Sequence, residues 1–300
     1  GNPKTVVIPK ANIVTTGNPS AEIFNTNCKM GIFVKGASPF FARLGITSST
    51  THAEIVTSKG RAGLGNEFFS VNTEMYYDST VANFMTSIMA TEDNTQVTVS
   101  GYSPIVQFSN GTSAPTMTFT LNKGHSYIIE GWNTGNNFNA FIGAKIVASK
   151  PVSVTNGNYN GNYASTGNFE GSDIIMDQSV PTNRLGDTFA MIKGNGNIGE
   201  TIEGAMVVAT EDNTQLFVND ETTPLATLNT GQYYRIPETK YINQAGSGHY
   251  NMYIHTTKNV YVYQLIGGQS DSNATEGFNY IPPLNCFLPK KIDELGNINL

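Results

Sequence analysis

Two pairs of adjacent carboxylates, Glu92/Asp93 and Glu211/Asp212, are the residues of this 300-residue chain whose types best suit acid–base work on a glycoside. Their setting argues against that chemistry. Each pair lies in the same heptapeptide, Ala-Thr-Glu-Asp-Asn-Thr-Gln, at 90–96 and again at 209–215. Adjacent side chains on a strand or tight turn point in different directions, and Asp and Asn there bond backbone amides instead. The same oxygens could hold Ca²⁺, which takes about six to eight oxygen ligands, but no EF-hand or nonapeptide spacing is present. Of His52, His125, His249 and His255, only the last two are close in sequence, and no third zinc ligand accompanies them. Gly194-Asn195-Gly196-Asn197-Ile198-Gly199 has a phosphate-cradle spacing without a following helix, so it reads as a turn cluster. The expected cofactor is therefore none, with Ca²⁺ as the one candidate, and a polysaccharide-active enzyme is the third choice of function.

Aromatic and amide side chains alternate between Asn156 and Phe169, in Asn-Gly-Asn-Tyr-Asn-Gly-Asn-Tyr-Ala-Ser-Thr-Gly-Asn-Phe. Ring faces beside amides suit sugar recognition, and tyrosine also anchors protein interfaces. Tyr159, Tyr163 and Phe169 are the candidate ligand-binding residues. The stretch reads as a long connection between two units, and its counterpart at 267–280 carries Asp271, Asn273, Glu276 and Phe278.

Those residues must be positioned by a duplicated β architecture. The heptapeptide recurs at a spacing of 119 residues, and three more signatures recur in the same order. Leu64-Gly65-Asn66-Glu67-Phe68 answers Leu185-Gly186-Asp187-Thr188-Phe189. Leu121-Asn122-Lys123-Gly124 answers Leu228-Asn229-Thr230-Gly231, and Ser149-Lys150-Pro151-Val152 answers Thr257-Lys258-Asn259-Val260. The offset drops to 107 at the third signature, which places a 12-residue insertion in the first copy near Ser103–Pro115. Apolar and polar residues alternate in Gln96–Ser100, the period of a half-buried strand, with Val97 and Val99 inward and Leu216 and Val218 as their equivalents. About seven strands per ~110 residues, with turns every ~8–12, is the pattern of a sandwich. The expected fold is all-β, with two tandem similar β-sandwich units; a single closed β architecture or a propeller is the alternative. The expected domains are residues 1–60 as the tail of a preceding repeat, 61–167 and 168–290 as the two units, and 291–300 as the start of a further repeat.

Charged residues make up 13% of the chain and the net charge is −6, with 17 Lys and Arg that never cluster. Nucleic-acid binding by counterion release needs a basic stripe, so that class is excluded. No apolar run approaches the ~20 residues of a transmembrane helix. The first residues lack the basic start and apolar core of a signal peptide. Cys28 and Cys286 are the only cysteines, too few for a structural zinc site; they are either two free thiols or one disulfide joining the ends.

The run Thr57-Ser58-Lys59-Gly60-Arg61-Ala62-Gly63-Leu64-Gly65-Asn66-Glu67-Phe68-Phe69, the Thr-Glu-Asp-Asn-Thr hairpin and Ser149-Lys150-Pro151-Val152 together resemble the N-terminal module of IgGFc-binding proteins. The likeness spans roughly residues 30 to 290. In particular it looks like the version in large secreted or surface proteins of gliding-type Gram-negative bacteria, which commonly use the type 9 secretion route. The resemblance implies an extracellular, non-enzymatic adhesion or interaction module with an unknown protein or glycan partner. A glycan-binding, lectin-like module is the second choice. It implies no catalytic or ligand residue at any position of this chain. Animal members add long cysteine-rich arrays, from which this chain departs.

Overall fold

The computed structural model describes residues 5–7, 27–28, 32–47, 53–74, 79–133, 137–163, 173–194, 202–267 and 276–284. Over these the chain is all-β, and the only helical pieces are short 3₁₀ turns. Strand β1 (Asn27–Cys28) is followed by a hairpin of β2 (Arg43–Thr47) and β3 (Ala53–Thr57). The first unit contains β4 (Leu64–Phe69), β5 (Ser79–Ala90), β6 (Thr95–Ser100), β7 (Thr116–Leu121), β8 (Ser126–Asn133), β9 (Lys145–Gly161) and β10 (Asp173–Gln178). The second contains β11 (Gly186–Ile192), β12 (Glu203–Ala209), β13 (Thr214–Val218), β14 (Ala226–Leu228), β15 (Tyr233–Pro237), β16 (Ile242–Asn243), β17 (Tyr250–Ile266) and β18 (Gly277–Tyr280). Strands of the two units form separate sheets and do not interleave, so the tandem-sandwich expectation holds.

One long strand in each unit serves both layers of its sandwich. The first half of β9 pairs with β6 and β4, and its second half pairs with β5 and β10. The switch falls beside Pro151, whose missing N–H cannot continue a ladder. Strand β17 does the same, pairing first with β13 and β11 and then with β12 and β18. Val97, Val99, Leu216 and Val218 are fully buried in equivalent places, as their alternation required. The first core also takes Tyr102, Val106 and Phe108 from the inserted β6–β7 connection, where Phe108 meets Phe84 and Phe141 edge-on.

The repeated signatures converge on one corner of each unit, bonded the same way twice. Asp93 Oδ1 accepts the Lys123 N–H at 3.0 Å, and Asp212 Oδ1 accepts that of Thr230 at 2.9 Å. Asn94 and Asn213 turn the chain at φ 54° and 57° while donating their N–H to Asn122 and Asn229. Lys150 Nζ donates to the Asp93 carbonyl, and Lys258 Nζ to that of Asp212. The Thr230 amide holds the Asp212 carboxyl below the usual carboxylate range. The signatures recur because two hairpins and the middle of the long strand must be tied at a polar corner, and turn chemistry accounts for both aspartates.

The two units are joined more firmly than a modest interdomain contact. Phe69, Val71, Ile142, Tyr163 and Ile175 of the first unit and Met206, Val208, Tyr261, Tyr263, Leu265 and Phe278 of the second form one continuous buried cluster. Tyr261 and Tyr263 are fully buried, with hydroxyls donated to the Val180 carbonyl and Ser179 Oγ. Backbones approach so closely that only glycine fits. A Cβ on Gly143 (φ +81°) would lie 1.8 Å from the Gly231 carbonyl oxygen, and one on Gly204 would lie 2.1 Å from the Tyr163 hydroxyl. Nor does the chain cross between units through Asn156–Phe169. Asn156–Gly161 is the end of β9, and β10 returns antiparallel along it in the first sheet; the crossing is made by Ser179–Leu185.

Corresponding outer faces are covered differently in the two units. The β12–β17–β18 face of the second unit packs on the first unit. In the first unit, Met85, Ile174 and Met176 on the equivalent β5–β9–β10 face pack against Ile46 and Val56 of the β2–β3 hairpin. Glu54 on β3 is caught in this contact, accepting the N–H of Ile55 at 2.6 Å and of Met176 at 3.4 Å. Burial, reinforced by Asp173 and Asp177, pushes its carboxyl up to about 7, against the pull of those two amides. A carboxyl raised above its unfolded value stabilises the fold when protonated. That stability is fully present below about pH 4.5 and is lost as pH rises through about 7. The thermal midpoint should therefore rise as pH is lowered from 8 to 5, and Glu54→Gln should flatten the rise. Equal slopes for parent and variant would show that Glu54 does not couple the hairpin to pH.

Candidate binding face

The proposed aromatic residues of the 156–169 stretch are placed by β9 and the segment after it. Tyr163 is 2% exposed inside the inter-unit cluster, and the Arg235 guanidinium lies 3.7 Å from its ring centre. Arg235 also donates to the Tyr163 carbonyl and pairs with Glu74 at 3.1 Å. Burial lowers the guanidinium to about 10, opposed by Glu74. The Tyr233 hydroxyl donates to Glu74 and accepts from Asn139 at 2.9 Å. Tyr163 thus clamps one unit to the other and offers no free ring. Tyr159 is half-buried against the Met85–Met176 cluster, and Phe169 lies outside the described residues.

Titratable groups gather at one further point in the second unit. Lys193 and Glu203 pair at 3.3 Å with side chains 3% and 0% exposed, and Glu203 also accepts the Gly194 N–H at 2.7 Å. Burial, with Glu203 adding to it, pushes the Tyr241 hydroxyl up. This pair is sealed from solvent and links β11 to β12; it is not presented to a substrate. Among the described residues no group of His, Cys, Asp and Glu could hold a metal ion. His249 and His255 are exposed, the former just before β17 and the latter within it; His52 and Cys286 lie outside the described residues.

The open aromatic surface lies elsewhere, on the outer face of β11, β17 and β13. Alternation in β17 turns Met252, Ile254 and Thr256 inward and leaves Tyr253, His255 and Thr257 outward. His255 pairs with Thr188 on one side and Phe217 on the other, forming one rung across three strands. The Phe217 and His255 rings lie 6.1 Å apart at 27°, side by side as one floor. Tyr253, 43% exposed, stands one pleat further along, about 7 Å away. These rings and Thr188, Glu221 and Thr257 line an open depression of about 450 Å³. Asn219, in a left-handed conformation (φ 54°), fixes one rim by exchanging hydrogen bonds with the Tyr253 backbone at 2.8 and 3.1 Å. Glu221 pairs with Lys240 at 2.5 Å. A second depression, about 300 Å³, lies in the first unit between Trp132, Asn137 and the inserted connection.

Neither depression brings two carboxylates together over a reaction centre. An aromatic sheet face open to solvent on a pair of fused β-sandwiches is the kind of surface a binding module presents. The chain is a member of the IgGFc binding protein family, whose profile matches residues 53–295. No curated protein and no solved structure matches it. No helix among the described residues is long and apolar enough to cross a membrane.

Proposed function

We propose that this chain is a non-enzymatic adhesion or display module of a larger extracellular protein, secreted or attached to a cell surface. The observation that carries this reading is where the polar chemistry goes. The repeated aspartates cap turns, the buried Lys193–Glu203 pair is sealed, and the open depression on the sheet is lined by rings, hydroxyls and a single carboxylate, Glu221. Units at residues 64–178 and 186–280, locked by a shared core, would present that sheet at a fixed angle. Export by the type 9 route belongs to the same reading and rests on the likeness of Thr57–Phe69 and the Thr-Glu-Asp-Asn-Thr hairpin to surface proteins of gliding-type bacteria. The family name also makes an immunoglobulin Fc region a partner to test.

The purified chain should bind immobilised mucin or immunoglobulin Fc saturably in biolayer interferometry, with no reducing ends released from a panel of polysaccharides. Catalytic release of sugar, or the lack of saturable binding to either surface, would overturn the proposal.

A further inference from the structure

We infer that the Phe217–His255–Tyr253 face of the second unit binds an uncharged glycan; the inference rests on the binding-module reading and names the ligand class of that site. The internal duplication supplies a control. Strand register makes Glu67, Val147, Lys145 and Thr98 of the first unit the equivalents of Thr188, His255, Tyr253 and Phe217. There the same face is closed by a Glu67–Lys145 ion pair at 2.9 Å, with the ammonium also 5.9 Å from the Phe69 ring. The sandwich therefore stands without rings at these positions. Three aromatic groups facing water in one copy alone are not required by folding, because their inward neighbours Met252, Ile254, Leu216 and Val218 already fill the core.

The chemistry of the face selects the ligand. A pyranose has one apolar C–H face that packs on an aromatic ring, and a rim of hydroxyls that both donate and accept. The Phe217–His255 floor and Tyr253 supply the rings. Among the described residues, the His255 imidazole and the Tyr253 hydroxyl make no hydrogen bond, so both are free to meet sugar hydroxyls. Thr188 and Thr257 stand beside them, and Glu221 adds carboxylate acceptors at the rim. An anionic ligand finds no cation to meet it, since among the described residues no Lys or Arg lines the depression and the neighbouring Lys240 is already paired with Glu221. A depression of about 450 Å³, open on one side, suits a short length of chain lying along the sheet.

The test is an array of neutral, sialylated and sulfated oligosaccharides probed with the full chain, Tyr253→Ala, Phe217→Ala and Trp132→Ala. Saturable binding to a neutral oligosaccharide is expected. Tyr253→Ala and Phe217→Ala should each weaken it by about tenfold or more, while Trp132→Ala leaves it unchanged. Circular dichroism melts of the two face variants should match the parent, because both side chains lie on the outer sheet surface. The His255 ring-proton NMR signals should shift on adding the bound oligosaccharide. Four results would overturn the inference: no neutral oligosaccharide bound; preference for sulfated or sialylated chains; loss in Trp132→Ala but not in Tyr253→Ala; or binding to mucin or Fc that survives removal of their glycans and disappears in Tyr253→Ala. The last would leave the binding-module reading intact and make the face a protein contact. Failure on the array together with failure on mucin and Fc would remove both.

Discussion

Leu216→Asp should abolish folding of the second unit and take the first unit with it. Leu216 is fully buried on β13, between Thr256 of β17 and Ala226 of β14, in a core of Phe189, Met191 and Val207. A carboxylate there has no partner and no water, and changes of this kind exceed about 4 kcal/mol. That is a large share of the roughly 5–15 kcal/mol that holds most domains folded. Loss of the second unit would then uncover Phe69, Val71 and Ile175, which share a buried cluster with Met206, Tyr261 and Tyr263. The single tryptophan, Trp132, lies on β8 of the first unit and reports on it separately. Its emission should shift to that of unfolded protein in Leu216→Asp. Native Trp132 emission beside a halved β signal in circular dichroism would show that the units fold independently.

Gly143→Val tests the same coupling without touching either sandwich interior. Gly143 combines φ +81° with a Cβ position 1.8 Å from the Gly231 carbonyl oxygen, and both contacting groups are backbone. A β-branched residue would be strained by the conformation and would have to push the β8–β9 loop away from the β14–β15 turn. The surrounding inter-unit cluster would open at Ile142 and Tyr233. A cost above about 4 kcal/mol is expected, lowering the thermal midpoint by about 10 °C or more in a chain of this size. Dye binding to exposed apolar surface should rise in parallel. An unchanged midpoint would mean that the close approach of the two loops is not part of the folded state.

The internal order of each unit was legible because it is written locally. Period-2 alternation fixed Val97, Val99, Leu216 and Val218, and Asp-Asn turn chemistry explained the heptapeptide. What lay beyond reach was which outer faces meet. Tyr159 and Tyr163 look like ligand residues when read as a polar connection, but Tyr163 is buried between the units and Tyr159 packs against the Met85–Met176 cluster. One signal was present: Val260-Tyr261-Val262-Tyr263 puts aromatic rings where Val152-Ser153-Val154-Thr155 has hydroxyls. An apolar residue at every position means that both faces of a strand are buried. The candidate face was missed for a different reason. Thr188, Phe217, Tyr253 and His255 come from three strands, and only register brings them together.

The contact between the copies joins unlike surfaces. The first unit offers the open side of its sandwich, at Phe69 and Ile175, and the second offers the outside of its β12–β17–β18 layer. Such a head-to-tail, heterologous contact lacks a twofold axis, so nothing in its geometry limits it to two members, and repeated on free molecules it would grow a filament. The first unit carries the same layer surface, with Met85, Ile174 and Met176 on it, and there the β2–β3 hairpin occupies the place that another copy would take. The hairpin thus covers on the first unit the layer that the first unit itself covers on the second, and that layer is the more polar of the two, with Ser153 and Thr155 where the second has Tyr261 and Tyr263.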